Sequence, residues 1–382
     1  MSPGRVLFIS EGQLGDLLLM TPALRAVKRT FPQATQSVLI LDRRVAQPSG
    51  RAALHQASLF RSGSDTVLAT NPHVADVTVI DREAFRSLPL LQRLSAELRA
   101  IRFIRSRKYD AVICTFPEDR FAVWAFLSGA RVRVGQKDQP LARLLTHSPD
   151  VRKDAKGVLE YYCDLVRTID AHPDSSGTEY HLPQEAERWA ADHMRSLGLD
   201  RAATLVAVHP GATGDYKIWP PERYAAVIDA LDGVPDLRTA LFCGGPDEAV
   251  VTEIGLRTAR PPTILRTTGN LAHFAGLLRR CSLLISNDSG PRHLAAALGI
   301  PTVALFRRHH DREWKVYPDS PTCVTLKGND PCPSCPEGAC LDRVPEGERF
   351  GAYCLRMIEA EEVLGAVGGI LGLSGTKPED HR

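Results

Sequence analysis

Short runs of branched apolar residues alternate with stretches of helical periodicity along nearly the whole chain, and no other feature of the sequence restricts its fold as strongly. Parallel strands must be joined by crossovers of a dozen or more residues, usually helices, so this alternation specifies open parallel sheets covered on both faces. In the first half, residues 6–10, 37–41, 77–80 and 111–115 read as strands and residues 17–29 as a helix in which Pro22 must introduce a kink or a fresh turn. In the second half, strands are expected at 205–209, 239–243, 283–286 and 302–306, with helices at 184–197, 221–231, 247–258, 271–280 and 291–298. Pro173, Ser175, Ser176, Gly177 and Pro183 stop both patterns, which places a linker at residues 171–183. A chain of 382 residues exceeds one ordinary core. The expected architecture is therefore α/β, with two Rossmann-like doubly wound lobes, residues 1–180 and 181–382, facing across a cleft. Such sheets bind ligands beyond the carboxyl ends of their strands, so function is to be sought in the strand-to-helix turns.

Several classes are excluded early. The apolar run after Arg5 spans only residues 6–9, short of the roughly 7–15 residues of a secretory signal, and nowhere do about 18 apolar residues run without charge. Nine cysteines in a long chain without a signal argue for a reducing cytoplasm rather than a disulfide scaffold. The net charge of +2 points to no nucleic-acid partner. Residues 1–180 hold 25 Lys and Arg against 19 Asp and Glu, so the first half is the candidate for meeting an anionic partner. Leu91, Leu94, Leu98, Ile101 and Ile104 recur at helical spacing with Arg93, Arg99, Arg102, Arg105, Arg107 and Lys108 between them, the pattern of an amphipathic surface helix.

Four turns carry residues suited to chemistry. After the first strand, Gly12 and Gly15 allow a tight turn and Asp16 falls in the first turn of a helix, where it reads equally as a dipole-stabilised acid or a catalytic one. The loop after His209 combines the small residues Gly211 and Thr213 with Lys217, the backbone donors and point charge that a diphosphate needs, and Trp219 and Pro220 are expected to fix it. Gly244 and Gly245 precede Asp247 and Glu248, acids that either stabilise a helix start or accept from ribose hydroxyls, with Glu248 preferred. Finally, Asp288, Ser289 and Gly290 end a strand and open a helix with Pro291, exposing N–H groups suited to an anion, and His293 follows as a phosphate donor or a buried structural imidazole.

In this order and spacing, the turns resemble glycosyltransferase family 9, the ADP-heptose:lipopolysaccharide heptosyltransferases and their relatives, over nearly the whole chain. The residues that carry the resemblance are Gly15 and Asp16 with Thr21-Pro22-Ala23-Leu24, then Lys217-Ile218-Trp219-Pro220, then Asp288-Ser289-Gly290 with His293-Leu294-Ala295-Ala296-Ala297. The resemblance implies a GT-B fold and a metal-independent, inverting transfer of heptose or a related sugar from an ADP-sugar, with no cofactor. The implied acceptor is the lipopolysaccharide inner core or another lipid-linked glycan, met at the cytoplasmic face of the inner membrane with peripheral contact to anionic lipid. Asp16 would be the general base, with Gly12 and Gly15 on the acceptor side. Lys217 and Thr213 would hold the donor phosphates, Asp288, Ser289, Gly290 and His293 would line the donor site, and Gly244, Gly245 and Glu248 would meet the ribose. A GT-B epimerase acting on the nucleotide sugar and a non-catalytic nucleotide-sugar-binding protein are the alternative readings.

The sequence departs from the family in two places. Arg307-Arg308-His309-His310 stands where family members carry glycine and a small polar turn, and Arg292 where methionine is common, so either donor preference is altered or a surface cluster has arisen. Cys332, Cys335, Cys340 and Cys354 read as a structural metal site, as reduced surface thiols or as a redox-sensitive pair, and in no case as catalytic groups.

Overall fold

The computed structural model describes residues 3–42, 55–56, 64–139, 141–152, 156–201, 203–267, 269–308, 310, 314, 317, 320–328 and 344–373. The chain divides into two compact units, Met1–His181 and Leu182–Arg382.

The first unit contains β1 (Arg5–Glu11), α1 (Leu14–Leu19), α2 (Thr21–Thr30), β2 (Thr35–Asp42), β3 (His55–Gln56), α3 (Ser64–Leu68), β4 (Asp76–Asp81), α4 (Arg82–Ser87), α5 (Leu90–Ser106), β5 (Ala111–Cys114), α6 (Asp119–Leu127), β6 (Val132–Val134) and α7 (Val158–Arg167). Its sheet runs β3-β4-β2-β1-β5-β6, parallel except for β3 against β4. β1 is buried on both faces from Val6 to Ile9, which is why it is written as an unbroken apolar run. Strand order reverses between β1 and β5, so the turn leaving β1 lies at a topological switch point.

The single helix expected over residues 17–29 is two. Pro22 offers no N–H to continue the ladder, α1 ends before Met20, and the Thr21 hydroxyl donates to the Leu18 carbonyl at 2.7 Å across the break. The expected linker has neither helix nor strand, yet it is held fast. Buried Arg25 of α2 donates to Glu179 at 2.6 Å and to both the Asp174 carboxylate and the Gly177 carbonyl at 2.8 Å. α5 also departs from expectation, because it turns Ala96, Ala100 and Ile104 inward while Leu91, Leu94 and Leu98 point to solvent. Phe121 and Trp124 of α6 fill the core beneath it, so the helix approaches on its alanines.

The second unit contains α8 (Gln184–Ser196), β7 (Thr204–His209), α9 (Pro221–Asp232), β8 (Leu237–Cys243), α10 (Glu248–Gly255), β9 (Ile264–Arg266), α11 (Leu271–Arg279), β10 (Leu283–Asn287), α12 (Gly290–Ala297), β11 (Thr302–Phe306), β12 (Cys323–Lys327) and α13 (Ala360–Leu371). The sheet order is β12-β11-β10-β7-β8-β9, all parallel, with its switch point between β7 and β10. α13 packs on α9 and is capped at both ends, by Glu362 accepting from the Glu359 N–H at 2.8 Å and by Gly372 in the left-handed region at φ 68°.

α8 and α11 meet through Gly276, where an added Cβ would stand 2.7 Å from the Ala186 carbonyl oxygen and 3.0 Å from the Ala190 Cβ. Alanine in a helix interior ordinarily gains about 1 kcal/mol over glycine, but overpacking costs about 1–3 kcal/mol. The contact should win. Gly276→Ala is expected to lower unfolding stability by about 1–2 kcal/mol, read as a lower urea midpoint at unchanged slope.

Candidate active site

In the first unit the turn after β1 is drawn against β2 by a hydrogen bond from the Gly12 N–H to the Leu41 carbonyl at 3.0 Å. Gly12 and Gly15 are buried in this turn, and Asp16 sits half-buried in the first turn of α1, where the helix dipole favours a carboxylate. α7 brings Tyr162 to it from 146 residues away, and the phenol donates to Asp16 Oδ1 at 3.0 Å. Burial, and then the neighbouring Asp16 charge, push the Tyr162 phenol well above its usual range, so it remains a proton donor. One carboxylate oxygen is thereby oriented, and the group is suited to accept a proton from a hydroxyl.

The floor of this region is an ion triad. Arg82, buried at the start of α4, bonds both Glu11 at the end of β1 and Glu118 at the N-cap of α6. The carboxyl ends of β1, β4 and β5 are tied together by this one guanidinium. Buried carboxylates need such a partner, since removing it would leave uncompensated charge.

In the second unit the turns after β7 and β10 are joined by Asn287. Its fully buried side chain accepts from the Trp219 N–H at 3.1 Å and the Tyr224 hydroxyl at 3.0 Å, and donates to the Pro210 carbonyl at 2.6 Å. Trp219 itself is buried and donates from Nε1 to the Ile358 carbonyl at 3.0 Å, so the loop is anchored at both edges, as its tryptophan suggested. Lys217 stands in this loop, half-buried, with Nζ 5.9 Å from the centre of the Tyr216 ring, while Thr213 is exposed. Gly211 is required by its surroundings, because a Cβ there would collide with the Asp247 carboxylate.

Across the same sheet edge, Ser289 precedes α12 in extended conformation, and its hydroxyl donates to the Asn287 carbonyl at 3.3 Å rather than capping the helix. The first turn, opened by Gly290, therefore has backbone donors available for an anion. Asp288 faces inward. Arg292 Nη2 lies 3.3 Å from one oxygen and His310 Nδ1 2.9 Å from the other. Burial pushes the Asp288 carboxyl up, but His310, Arg292 and His293 together outweigh it and hold it below the usual carboxylate range. His293 is buried between Arg292 Nη2 at 3.2 Å and the Tyr317 hydroxyl at 3.3 Å. Burial, reinforced by Arg292, keeps it well below its usual pKa and neutral.

At the end of β8, Asp247 accepts from the Gly244 N–H at 3.0 Å and faces half-buried His209 at 3.7 Å. Gly245 and Glu248 are exposed, with Glu248 paired to Arg266 at 3.2 Å, so Glu248 is the acid presented outward here. Burial lowers the His209 pKa against the pull of Asp247.

The two departures from the family are internal. Arg292 is buried over the Phe306 ring at 4.7 Å and donates to the Trp314 carbonyl at 2.8 Å. Arg307 is buried with its guanidinium 4.8 Å from the Tyr216 ring that Lys217 also approaches. The surface-cluster reading therefore fails for both, and Arg307 adds positive charge at the ring that the lysine also approaches. Tyr162 and Arg82 carried no local signal of function, and Asn287 stood in the Asp288 turn without a role of its own; only a buried polar residue on an apolar element, as Tyr162 is on α7, marks such a group. Among the cysteines considered for metal, Cys354 is a buried thiol, and Cys332, Cys335 and Cys340 lie outside the described residues, as does His309. No group of three or more His, Cys, Asp or Glu among the described residues is arranged to hold a metal ion.

The description "glycosyltransferase family 9 (heptosyltransferase)" matches residues 98–341. Lipopolysaccharide heptosyltransferase 3 of Escherichia coli is 24% identical over 301 residues, which cover 76% of this chain and 80% of that protein. Lipooligosaccharide heptosyltransferase 2 of Haemophilus influenzae is 28% identical over 266 residues, 66% of this chain and 73% of that protein. Among solved structures, a family 9 glycosyl transferase from Veillonella parvula has a TM-score of 0.75 at 22% identity, covering 96% of this chain and 97% of that one. Escherichia coli heptosyltransferase WaaC, solved with ADP-2-deoxy-2-fluoro heptose, has a TM-score of 0.63 at 18% identity, covering 94% and 97%. The likeness to these structures is one of fold, that of two Rossmann-like α/β units, and since the family model spans more than half of the sequence, the chain belongs to glycosyltransferase family 9, the heptosyltransferases.

Proposed function

We propose that this glycosyltransferase moves heptose, or a related sugar, from an ADP-sugar to a hydroxyl of the lipopolysaccharide inner core or another lipid-linked glycan, with inversion at the anomeric carbon. The observation that carries this reading is Asp16, held at the β1 switch-point turn by a phenol that stays protonated. The Asp16 carboxylate takes the proton of the acceptor hydroxyl as its oxygen attacks the anomeric carbon. The bond from that carbon to the diphosphate oxygen breaks on the opposite face, and its electron pair leaves with ADP. Lys217, the first-turn N–H groups of α12 and the buried charge of Arg307 favour the negative charge that develops on the diphosphate. Thr213, Ser289 and Gly290 complete the phosphate loop ends, Asp288 and His293 brace that wall from within, and Gly244, Gly245 and Glu248 meet the ribose.

The chemistry asks for no cofactor, and the donor is the only nucleotide required. The related WaaC structure carries an ADP-heptose analogue, which supports the adenine nucleotide. In this reading the acceptor is met at the cytoplasmic face of the inner membrane; no helix among the described residues is long and apolar enough to cross a membrane.

Calorimetric titration should show binding of ADP and ADP-heptose and little of UDP, GDP or CMP; preference for another nucleotide would move the substrate while leaving the fold. Asp16→Asn is expected to lower transfer about 10²–10⁴-fold while ADP affinity stays within twofold or so, whereas Lys217→Ala weakens ADP binding as well as rate. Equal loss of ADP binding in both variants would remove Asp16 from its proposed role. Tyr162→Phe deletes a donor that favours the ionised carboxylate, so the acid limb of the kcat/KM profile should move to higher pH, with kcat lower by about tenfold at neutral pH.

A further inference from the structure

α5 buries Ala96, Ala100 and Ile104, and on the opposite side it presents leucines to water: Leu90 is 72% exposed, Leu91 80%, Leu94 53% and Leu98 51%. Surface leucines scattered singly need no explanation, but four within nine residues on one side of one helix form a ridge. The ridge continues as charge. Arg102 and Arg105 follow Leu94 and Leu98 at helical spacing, so the stripe passes from apolar to basic over its last two turns. Between residues 90 and 108 stand Arg93, Arg99, Arg102, Arg105, Arg107 and Lys108 against the one acid Glu97. Glu97 is turned away, accepting from Trp124 Nε1 at 2.7 Å and pairing with Arg120 at 3.0 Å.

We infer that the outward face of α5 docks in the headgroup region of an anionic bilayer, leucines entering the acyl boundary and the arginines meeting lipid phosphates. Arg107 pairs with Asp76 at 3.8 Å and Arg105 donates to the Leu127 carbonyl at 3.0 Å, yet the arginines still outnumber the acids around the ridge. The charge selects the occupant: a protein partner covering four leucines would leave that excess to be matched, whereas an anionic lipid surface satisfies both along one stripe. With 17 residues, α5 is about 25 Å long and lies along the surface rather than through it. Neither signal suffices alone, since apolar burial of a few side chains and a few basic contacts are each reversible, and together they hold the protein at the surface. The inference rests on the lipid-linked reading of the acceptor only for the relevance of a bilayer, and it is tested without donor or acceptor.

The test is flotation of the full-length protein with vesicles of phosphatidylcholine, with or without phosphatidylglycerol. Wild-type protein should float with the anionic vesicles and not with the neutral ones. Leu91→Gln with Leu94→Gln, and separately Arg99→Gln with Arg102→Gln, should each lower the bound fraction about tenfold or more, with thermal midpoints unchanged. Leu256→Gln, at a leucine 79% exposed in the second unit, should float as wild type does, which separates the α5 face from general stickiness. Absence of wild-type flotation, wild-type behaviour of both α5 variants, or a dimer that the leucine pair dissolves without vesicles would overturn the assignment, the last giving the ridge to a second copy of the chain. Nucleotide titrations are indifferent to all these results, so the donor reading stands or falls separately.

Discussion

The side chain of Asn287 makes the bond set on which the strand-end turns of the second unit depend. A carboxamide accepts and donates from a single planar group, and here it accepts from a backbone N–H and a phenol and donates to a carbonyl. The accepting side draws in the loop of Lys217; the donating side fixes where that loop leaves β7. Aspartate would lose the donor and leucine would lose both functions, leaving buried polar groups without partners at a cost of about 1–3 kcal/mol each. Everything placed at the β7 and β10 ends inherits its position from this bond set, including the start of α12.

Charge is handled in opposite ways in the two units. In the first, one guanidinium is shared by two glutamates, and Asp16 remains as the carboxylate oriented by a neutral phenol. In the second, one carboxylate is shared by Arg292 and His310, and Lys217 and Arg307 gather at one tyrosine ring. The local balance runs against the bulk balance of each half, since residues 1–180 carry the excess of basic residues. That excess lies in part along α5, away from the strand ends. Composition therefore reports on a surface here, and only the turns report on the chemistry.

The alternation of strands and helices was legible because it follows from the two-sided burial of parallel strands, and the turns in which Asp16, Lys217 and Ser289 stand were legible because they are local. Other parts were not. β6 and β9, at three residues each, are too short to express a period, and they take their place from the ladders beside them. The inward face of α5 was misread because leucine periodicity outweighs alanine in any sequence pattern, although close helix packing is made by the alanines. Arg292 and Arg307 stood out as unusual residues, but their burial depends on Phe306, Tyr216 and Tyr317, which no spacing rule joins to them.

The pairing of Asp16 with Tyr162 also orders events during synthesis. β1 and α1 leave the ribosome early, and α7 emerges only after more than a hundred further residues have been added. A nascent chain that has assembled β1, β2, β4 and β5 already owns the carboxylate in its turn, yet lacks the phenol that orients it. The Asp16 carboxylate thus acquires its orienting partner at the completion of α7, not at the formation of the sheet.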